Sequence, residues 1–179
     1  MTVRGANYPR RPRDDYPTPP EVVRTLLVNS SIGPTIFDPA CGKRNNIVSA
    51  ARSLGISATG NDIVHGFNFL DSHRQVNRDI VTNPPFGTAG RDAMAFIRHA
   101  LDLTQKHRRR VAMLLPVDFD SGKTRTDVFG DCQIFAGKLV LLDRIKWFNG
   151  KSGSLNHAWF IWNWDHQGPP VIAYARMET

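Results

Sequence analysis

Three short runs carry the residues best suited to chemistry: Asp38-Pro39-Ala40-Cys41-Gly42, Asn61-Asp62 and Asn83-Pro84-Pro85-Phe86. Each follows a brief segment of the kind that forms a strand. Asp, Asn, Gly and Pro gather at strand ends for the sake of the turn alone, so turn formation is the first explanation of an isolated Asp-Pro or Asn-Asp. Asn83-Pro84-Pro85-Phe86 carries more. Two consecutive prolines stiffen the backbone and remove two donors. An aromatic ring beside a rigid turn can present its face to a planar group. The Asn83 side-chain oxygen and the Pro84 carbonyl, whose direction the Pro85 ring fixes, make a pair of acceptors. Placed on the two N–H bonds of an aromatic amine, they favour a pyramidal nitrogen and free a lone pair otherwise delocalised into the ring. Phe86 can stack on that ring. At another strand end the Asp62 carboxylate can accept from both hydroxyls of a ribose; its alternative role is a cap or turn.

The elements that must position these runs follow from pattern. A helical pattern begins at Glu21 (EVVRTLLV), with Pro19 and Pro20 just ahead of it, where proline is tolerated. Gly33-Pro34 marks a turn. Strands and helices then alternate. TIFD (35–38) is a strand, 45–55 a helix ending on Gly55, SATGND (57–62) a strand, and FNFL (67–70) a brief apolar stretch. DIVTN (79–83) is a strand, 91–107 an amphipathic helix, and VAMLLP (111–116) a strand buried on both faces. LVLLDRIKWF (139–148) and HAWFIWNW (157–164) predict two further strands around Gly150 and Gly153. VIAYA (171–175) is either an edge strand or a docked tail, and 117–137 is ambiguous. Such alternation implies a parallel sheet with helices on both faces. The late strands, with no helix between them, predict an antiparallel hairpin at one edge. Ligands of such sheets bind at the carboxyl ends of the strands, where the three runs stand.

With the cofactor arm leading, these pieces resemble the S-adenosylmethionine-dependent methyltransferases that act on exocyclic or amide nitrogens. Among them they are most similar to the N6-adenine DNA methyltransferases. The resemblance spans roughly Asp15 to Asp165. It implies a Rossmann-like class I methyltransferase fold: α/β, with a mostly parallel seven-stranded sheet, an antiparallel edge hairpin and helices on both faces. Asp15-Tyr16-Pro17-Thr18-Pro19 is similar to the family's Tyr-x-Thr-Pro element, which puts Tyr16 and Thr18 at the methionine end of the cofactor. Asp38, Pro39, Ala40 and Gly42 correspond to the cofactor loop, Asp62 to the ribose ligand, and Asp71 to a residue that meets the cofactor's adenine. Asn83, Pro84, Pro85 and Phe86 match the catalytic Asn/Asp-Pro-Pro-aromatic motif. The implied cofactor is S-adenosyl-L-methionine and the implied acceptor is adenine N6 in DNA. The methyl donor is already activated as a sulfonium, so catalysis is mainly positioning. A base inside a duplex must be flipped out to be reached.

Two features depart from the family pattern. Arg44 stands where a second glycine is usual, and Asn46 stands near an aromatic position. A glycine there allows close backbone approach to a ligand. Arg44 either forces another loop path or offers its guanidinium to the cofactor carboxylate or a phosphate. The second departure is size. No segment is long enough for a target-recognition domain, and 117–137 is the one candidate insertion. The expectation is a basic flexible arm over 1–14 and a single methyltransferase domain over 15–179. Specificity is then relaxed or borrowed from a recognition partner, with a homodimer left open. The compact size is compatible with a phage or prophage gene.

Composition bounds the rest. The chain has 179 residues, 41% of them apolar, and a net charge of +7. This is a globular composition, and its charge suits DNA or RNA as partner. Two cysteines and six scattered histidines leave no disulfide framework and predict no metal site. No run approaches the about 20 apolar residues of a membrane span, so no membrane partner is expected. The expected location is the cytoplasm. Ser121-Gly122-Lys123-Thr124 lacks the preceding glycine of a phosphate loop, since that position is Val117. The Lys106–Arg110 charge run either touches DNA or simply favours the helix end it follows. The Gly150–His157 loop either borders the target base or is a plain connector. The same tetrapeptide serves enzymes acting on RNA adenine and on protein glutamine amides, so those acceptors stay open. A degenerate fold that only binds nucleic acid stays open too.

Overall fold

The computed structural model describes residues 16–148, 151–152 and 155–177. The basic arm expected over 1–14 lies outside them, as does part of the Gly150–His157 loop. Among the described residues three α-helices are formed: α1 (Pro20–Asn29), α2 (Asn46–Ser53) and α3 (Arg91–Gln105). The strands are β1 (Thr35–Asp38), β2 (Ser57–Gly60), β3 (Asp79–Thr82), β4 (Val111–Pro116), β5 (Phe135–Leu141), β6 (Lys146–Phe148), β7 (Lys151–Ser152), β8 (His157–Trp162) and β9 (Val171–Ala175). A seven-stranded sheet runs in the order β2-β1-β3-β4-β8-β5-β9, and β6 and β7 make a separate ribbon. Pairings β1–β2, β1–β3, β3–β4 and β5–β9 are parallel. β8 is antiparallel to both β4 and β5.

Side chains of a strand alternate between faces, and here the alternation sorts two cores. Val111, Met113 and Leu115 of β4, with Ala158, Phe160 and Trp162 of β8, pack against Ala93, Ile97 and Leu101 of α3. Ala112, Leu114 and Trp159 face the other way, against Val22, Val23 and Leu26 of α1 and Ile47 and Val48 of α2. The two buried tryptophans also place their ring N–H groups: Trp159 Nε1 donates to Val22 O at 3.0 Å, and Trp162 Nε1 to Val128 O at 2.6 Å. Helices therefore cover both faces of a mostly parallel sheet, as the alternation of elements implies.

The structure differs from expectation in detail. The brief apolar stretch FNFL takes no regular form at Phe67-Asn68. It leads into a 3-10 turn over Phe69–Asp71, begun by Asn68, whose side chain accepts from Leu70 N. LVLLDRIKWF is not one strand: β5 begins earlier, at Phe135, and the chain bends at Leu142-Asp143 before β6. The antiparallel pair is not outermost. β8 enters between β4 and β5, and VIAYA forms the parallel edge strand β9. Segment 117–137 contributes a 3-10 turn over Lys123–Val128, and its Phe129 packs on Phe135, Phe160 and Trp162. Ser121-Gly122-Lys123-Thr124 opens that turn, not an α-helix, so it lacks the helix N-terminus that a phosphate loop needs.

Candidate active site

The site is built at the carboxyl ends of β1, β2 and β3. Past β1 the chain turns through Pro39-Ala40-Cys41-Gly42, and Cys41 N donates to Asn61 O at 3.1 Å. Asn61 N donates to Asp38 O at 2.9 Å, so the ends of β1 and β2 are laced together. Asp62 then fixes the loop by its carboxylate. One oxygen accepts from Gly42 N at 2.8 Å and the other from Val64 N at 2.9 Å. Each oxygen keeps a further lone-pair position for a donor from outside the protein. Gly42 adopts a left-handed φ of 60°, which glycine takes without strain.

Arg44 does not take over the glycine's conformation. The left-handed residue comes one position later, at Asn45 with φ 51°. Asparagine is among the few side chains that visit this region readily. Arg44 itself lines the cavity.

That cavity has a volume of about 590 Å³, within the usual range for small-molecule sites. Tyr16, Thr18, Asp38, Pro39, Ala40, Gly42, Asp62, Asn83 and Pro85 all line it. Sequence reasoning therefore placed these nine in one space. Pro84 and Phe86 are not among its walls; Pro84 is buried and Phe86 half-buried against the α3-side core. Asp71 stands apart as well. It is exposed and accepts from Asn68 Nδ2 at 2.8 Å, and Asn68 and Leu70 line the cavity in its place. Ile63, Phe67, Asp92 and Phe96 complete that wall. None was singled out from the sequence. Asp92 and Phe96 are i and i+4 on one face of α3, a spacing that reads only as amphipathic.

The catalytic-type tetrapeptide is held by the N-terminal segment. Asn83 Nδ2 donates to Tyr16 O at 3.0 Å, which leaves Oδ1 as the part of the amide free to accept. Two residues along the same segment, Thr18 O accepts from Asn46 Nδ2 at 3.0 Å. Thr18 is buried, and the Tyr16 ring meets Trp147 edge-on with centroids 5.7 Å apart. Trp147 in turn meets His157, also edge-on, at 5.3 Å. Beyond Phe86 the chain turns through Gly87 (φ 61°), where a side chain would collide with the Asp92 carboxylate.

Burial sets the protonation of this corner. It pushes the Asp38 carboxyl up to about 7, and the nearby Asp62 charge adds to the rise. The Thr82 hydroxyl and Ala40 N–H pull the other way, although Thr82 Oγ1 closes no hydrogen bond of full geometry. Burial, with Asp38 and Asp62, pushes the Cys41 thiol up to about 11, so it is not an activated nucleophile. Burial also lowers the His157 imidazole to about 4, and its Nδ1 has no partner.

The Lys106–Arg110 run lies at the opposite end of the sheet. Arg108 pairs with Asp165 at 2.6 Å, Arg109 bonds Asn77, and Arg110 sits 3.6 Å from Asp79. Among the described residues no helix is long and apolar enough to cross a membrane.

No family model and no curated protein sequence matches the chain. Solved structures do. One is a Listeria monocytogenes protein assigned as a class I S-adenosylmethionine-dependent methyltransferase (TM-score 0.56, 14% identity), matched over 89% of this chain and 63% of that one. The M protein of type I restriction enzyme EcoKI matches with TM-score 0.55 and 18% identity, over 84% of this chain and 45% of that one. A Streptococcus thermophilus type I restriction-modification methyltransferase subunit matches with TM-score 0.55 and 14% identity, over 97% and 48%. The chain thus spans about half to two-thirds of the length of these neighbours. What the likeness establishes, together with the mixed seven-stranded sheet, is that this chain has the class I methyltransferase fold.

Proposed function

We propose that this chain is an S-adenosyl-L-methionine-dependent methyltransferase that methylates the N6 amino group of adenine in DNA. The observation that carries the reading is the state of Asn83. One of its amide N–H bonds donates to Tyr16 O, which orients the side chain and leaves its oxygen to accept from a substrate amine in the cavity that Asn83 lines.

The residues present fit the cofactor. Asp62 has one open acceptor position on each oxygen, which suits a pair of ribose hydroxyls. Asp38 is a buried carboxyl in the wall, suited to meeting a cation. Arg44 offers a guanidinium where the family pattern has none, suited to a carboxylate. Tyr16 and Thr18 line the cavity, as do Asn68, Leu70 and Phe96. Bound there, the cofactor would supply an electrophilic methyl group on a sulfonium.

The chain's own part is then to present the acceptor. Asn83 Oδ1 accepts one hydrogen of the adenine amino group and the Pro84 carbonyl the other, which frees the nitrogen lone pair. Phe86 stacks on the flipped base. Preorganised acceptors of this kind commonly contribute about 10²–10³-fold in rate. A net charge of +7 favours a nucleic-acid acceptor over a protein amide.

Sequence recognition is assigned to a partner subunit. Segment 117–137 is spent on one short turn and on packing against the sheet. Two of the neighbours above are M or methyltransferase subunits of type I systems. The cytoplasm is the proposed location.

The test is methyl transfer from labelled S-adenosylmethionine to duplex DNA, followed by digestion to nucleosides. N6-methyladenine made by the wild type and lost in Asn83→Ala is the expected result. No label on DNA, with RNA labelled instead, would move the acceptor. No cofactor binding at all would leave only a nucleic-acid-binding fold.

A further inference from the structure

The two hydrogen bonds to the N-terminal segment come from distant elements. Asn46 opens α2 and Asn83 follows β3, and both line the cavity. Their acceptors, Thr18 O and Tyr16 O, are two residues apart on one extended strap. Pro17 lies between them, and its ring fixes one of the few torsions that separate the two carbonyls. A displacement of Thr18 is therefore passed on, in part, to Tyr16 O.

The orientation of Asn83 depends on that carbonyl. A carboxamide turned by half a rotation about its last side-chain bond exchanges oxygen for nitrogen and presents donors where it had an acceptor. Donors facing a substrate amine repel it. Tyr16 O selects the productive orientation, because only the amide nitrogen can donate to a carbonyl. The Tyr16 ring also meets Trp147 edge-on.

From this geometry we infer that Asn46 is a positioning residue for Asn83: it latches the strap, and the strap aims the amide that receives the substrate. The inference rests on the reading of Asn83 given above. It also accounts for a departure from the family pattern. The polar residue near the aromatic position supplies a donor to the Thr18 carbonyl. A change on the cofactor side of the cavity should then be felt on the acceptor side.

The experiment uses the full chain labelled with ¹⁵N-asparagine. The side-chain amide signal of Asn83 is identified by its loss in Asn83→Ala. Two variants remove the latch: Asn46→Ala, and Asn46→Asp, which keeps the shape but cannot donate. Both substitutions suit a helix start. The expected result in each is a shifted Asn83 amide signal and at least about tenfold faster hydrogen exchange at that amide. At saturating cofactor, kcat for methyl transfer should fall about tenfold or more, as misplacement of a reacting group predicts. An Asn83 signal unmoved in both variants overturns the inference. So does a shifted signal with unchanged kcat and only a raised KM for cofactor, because Asn46 then serves the cofactor alone. A shifted signal in a protein whose wild type transfers no methyl group keeps the latch and sinks the methyltransferase reading instead.

Discussion

Where the parallel strands begin, most polar groups are matched to one another, with Arg110 Nε and His166 Nε2 the buried exceptions. Asp79 accepts from Gly33 N at 2.6 Å and from Arg110 N at 2.9 Å, and Arg108 and Arg109 close on Asp165, Trp164 O and Asn77. Where the same strands end, the polar groups are matched only in part. Asp62 holds two backbone amides and keeps two acceptor positions, Asn83 keeps its oxygen, and Arg44 lines a cavity of about 590 Å³. Both ends are rich in charge, so charge does not distinguish them. The difference lies in what remains unsatisfied after the fold has closed. One end spends its hydrogen bonds on stability; the other reserves some for a ligand.

Four substitutions sharpen or break this contrast. Asp62→Ala should show the largest effect, because it acts on both accounts. It leaves Gly42 N and Val64 N without their acceptor, at about 1–3 kcal/mol. It should also weaken S-adenosylmethionine binding at least about tenfold by calorimetry, as expected when charged hydrogen bonds to a ligand are lost. Asp79→Ala is the matched change at the other end. It should lower the stability measured by urea unfolding by about 2–4 kcal/mol, with cofactor affinity in the folded protein unchanged. A comparable loss of affinity in that variant would break the comparison.

Asp38 gives a smaller, pH-dependent effect. Its carboxyl is raised from an ordinary value of 3.8 to about 7 in the folded chain. The unfolded state therefore ionises first, and this group's contribution to stability falls as pH rises from about 4 to about 7. Asp38→Asn should remove that slope. A cationic ligand beside Asp38 favours the ionised form, so binding near pH 7 should release up to about half a proton in the wild type and none from this site in Asp38→Asn. Calorimetry in buffers of different ionisation enthalpy measures it. Arg108→Ala should have the least effect. Its partner pair is more than half exposed, so the loss should stay below about 1 kcal/mol. DNA retention on a filter should be unchanged, since this arginine stands at the far end from the cavity.

Much of this was legible from side-chain pattern. The uninterrupted apolar run of β4 and the amphipathic spacing of α3 announce a central strand and its covering helix. The Asn-Pro-Pro-Phe and Asp62 positions fall at strand ends because the intervening segments are too short for anything else. The illegible parts are those that backbone atoms decide. LVLLDRIKWF hides a bend at Leu142-Asp143, because apolar residues continue on both sides of it and Met177 N docks on the Asp143 carboxylate from the far end of the chain. Asp71 follows FNFL as expected, but Asn68 captures it within a single turn. The strap reaches Asn83 and Asn46 through main-chain carbonyls, which every residue type carries, so no choice of side chain could announce the contact.

The strap also has an unusual entropy. Pro17, Pro19 and Pro20 are three of the five residues from Tyr16 to Pro20, and Val22 just behind them is anchored to the buried Trp159. Ordering a free residue costs about 1–2 kcal/mol of backbone entropy, but proline brings its φ already set. Docking the strap therefore freezes little beyond Tyr16 and Thr18, and lifting it gains correspondingly little. Much of the order in this segment is therefore set by its covalent chemistry, ahead of any contact that it makes.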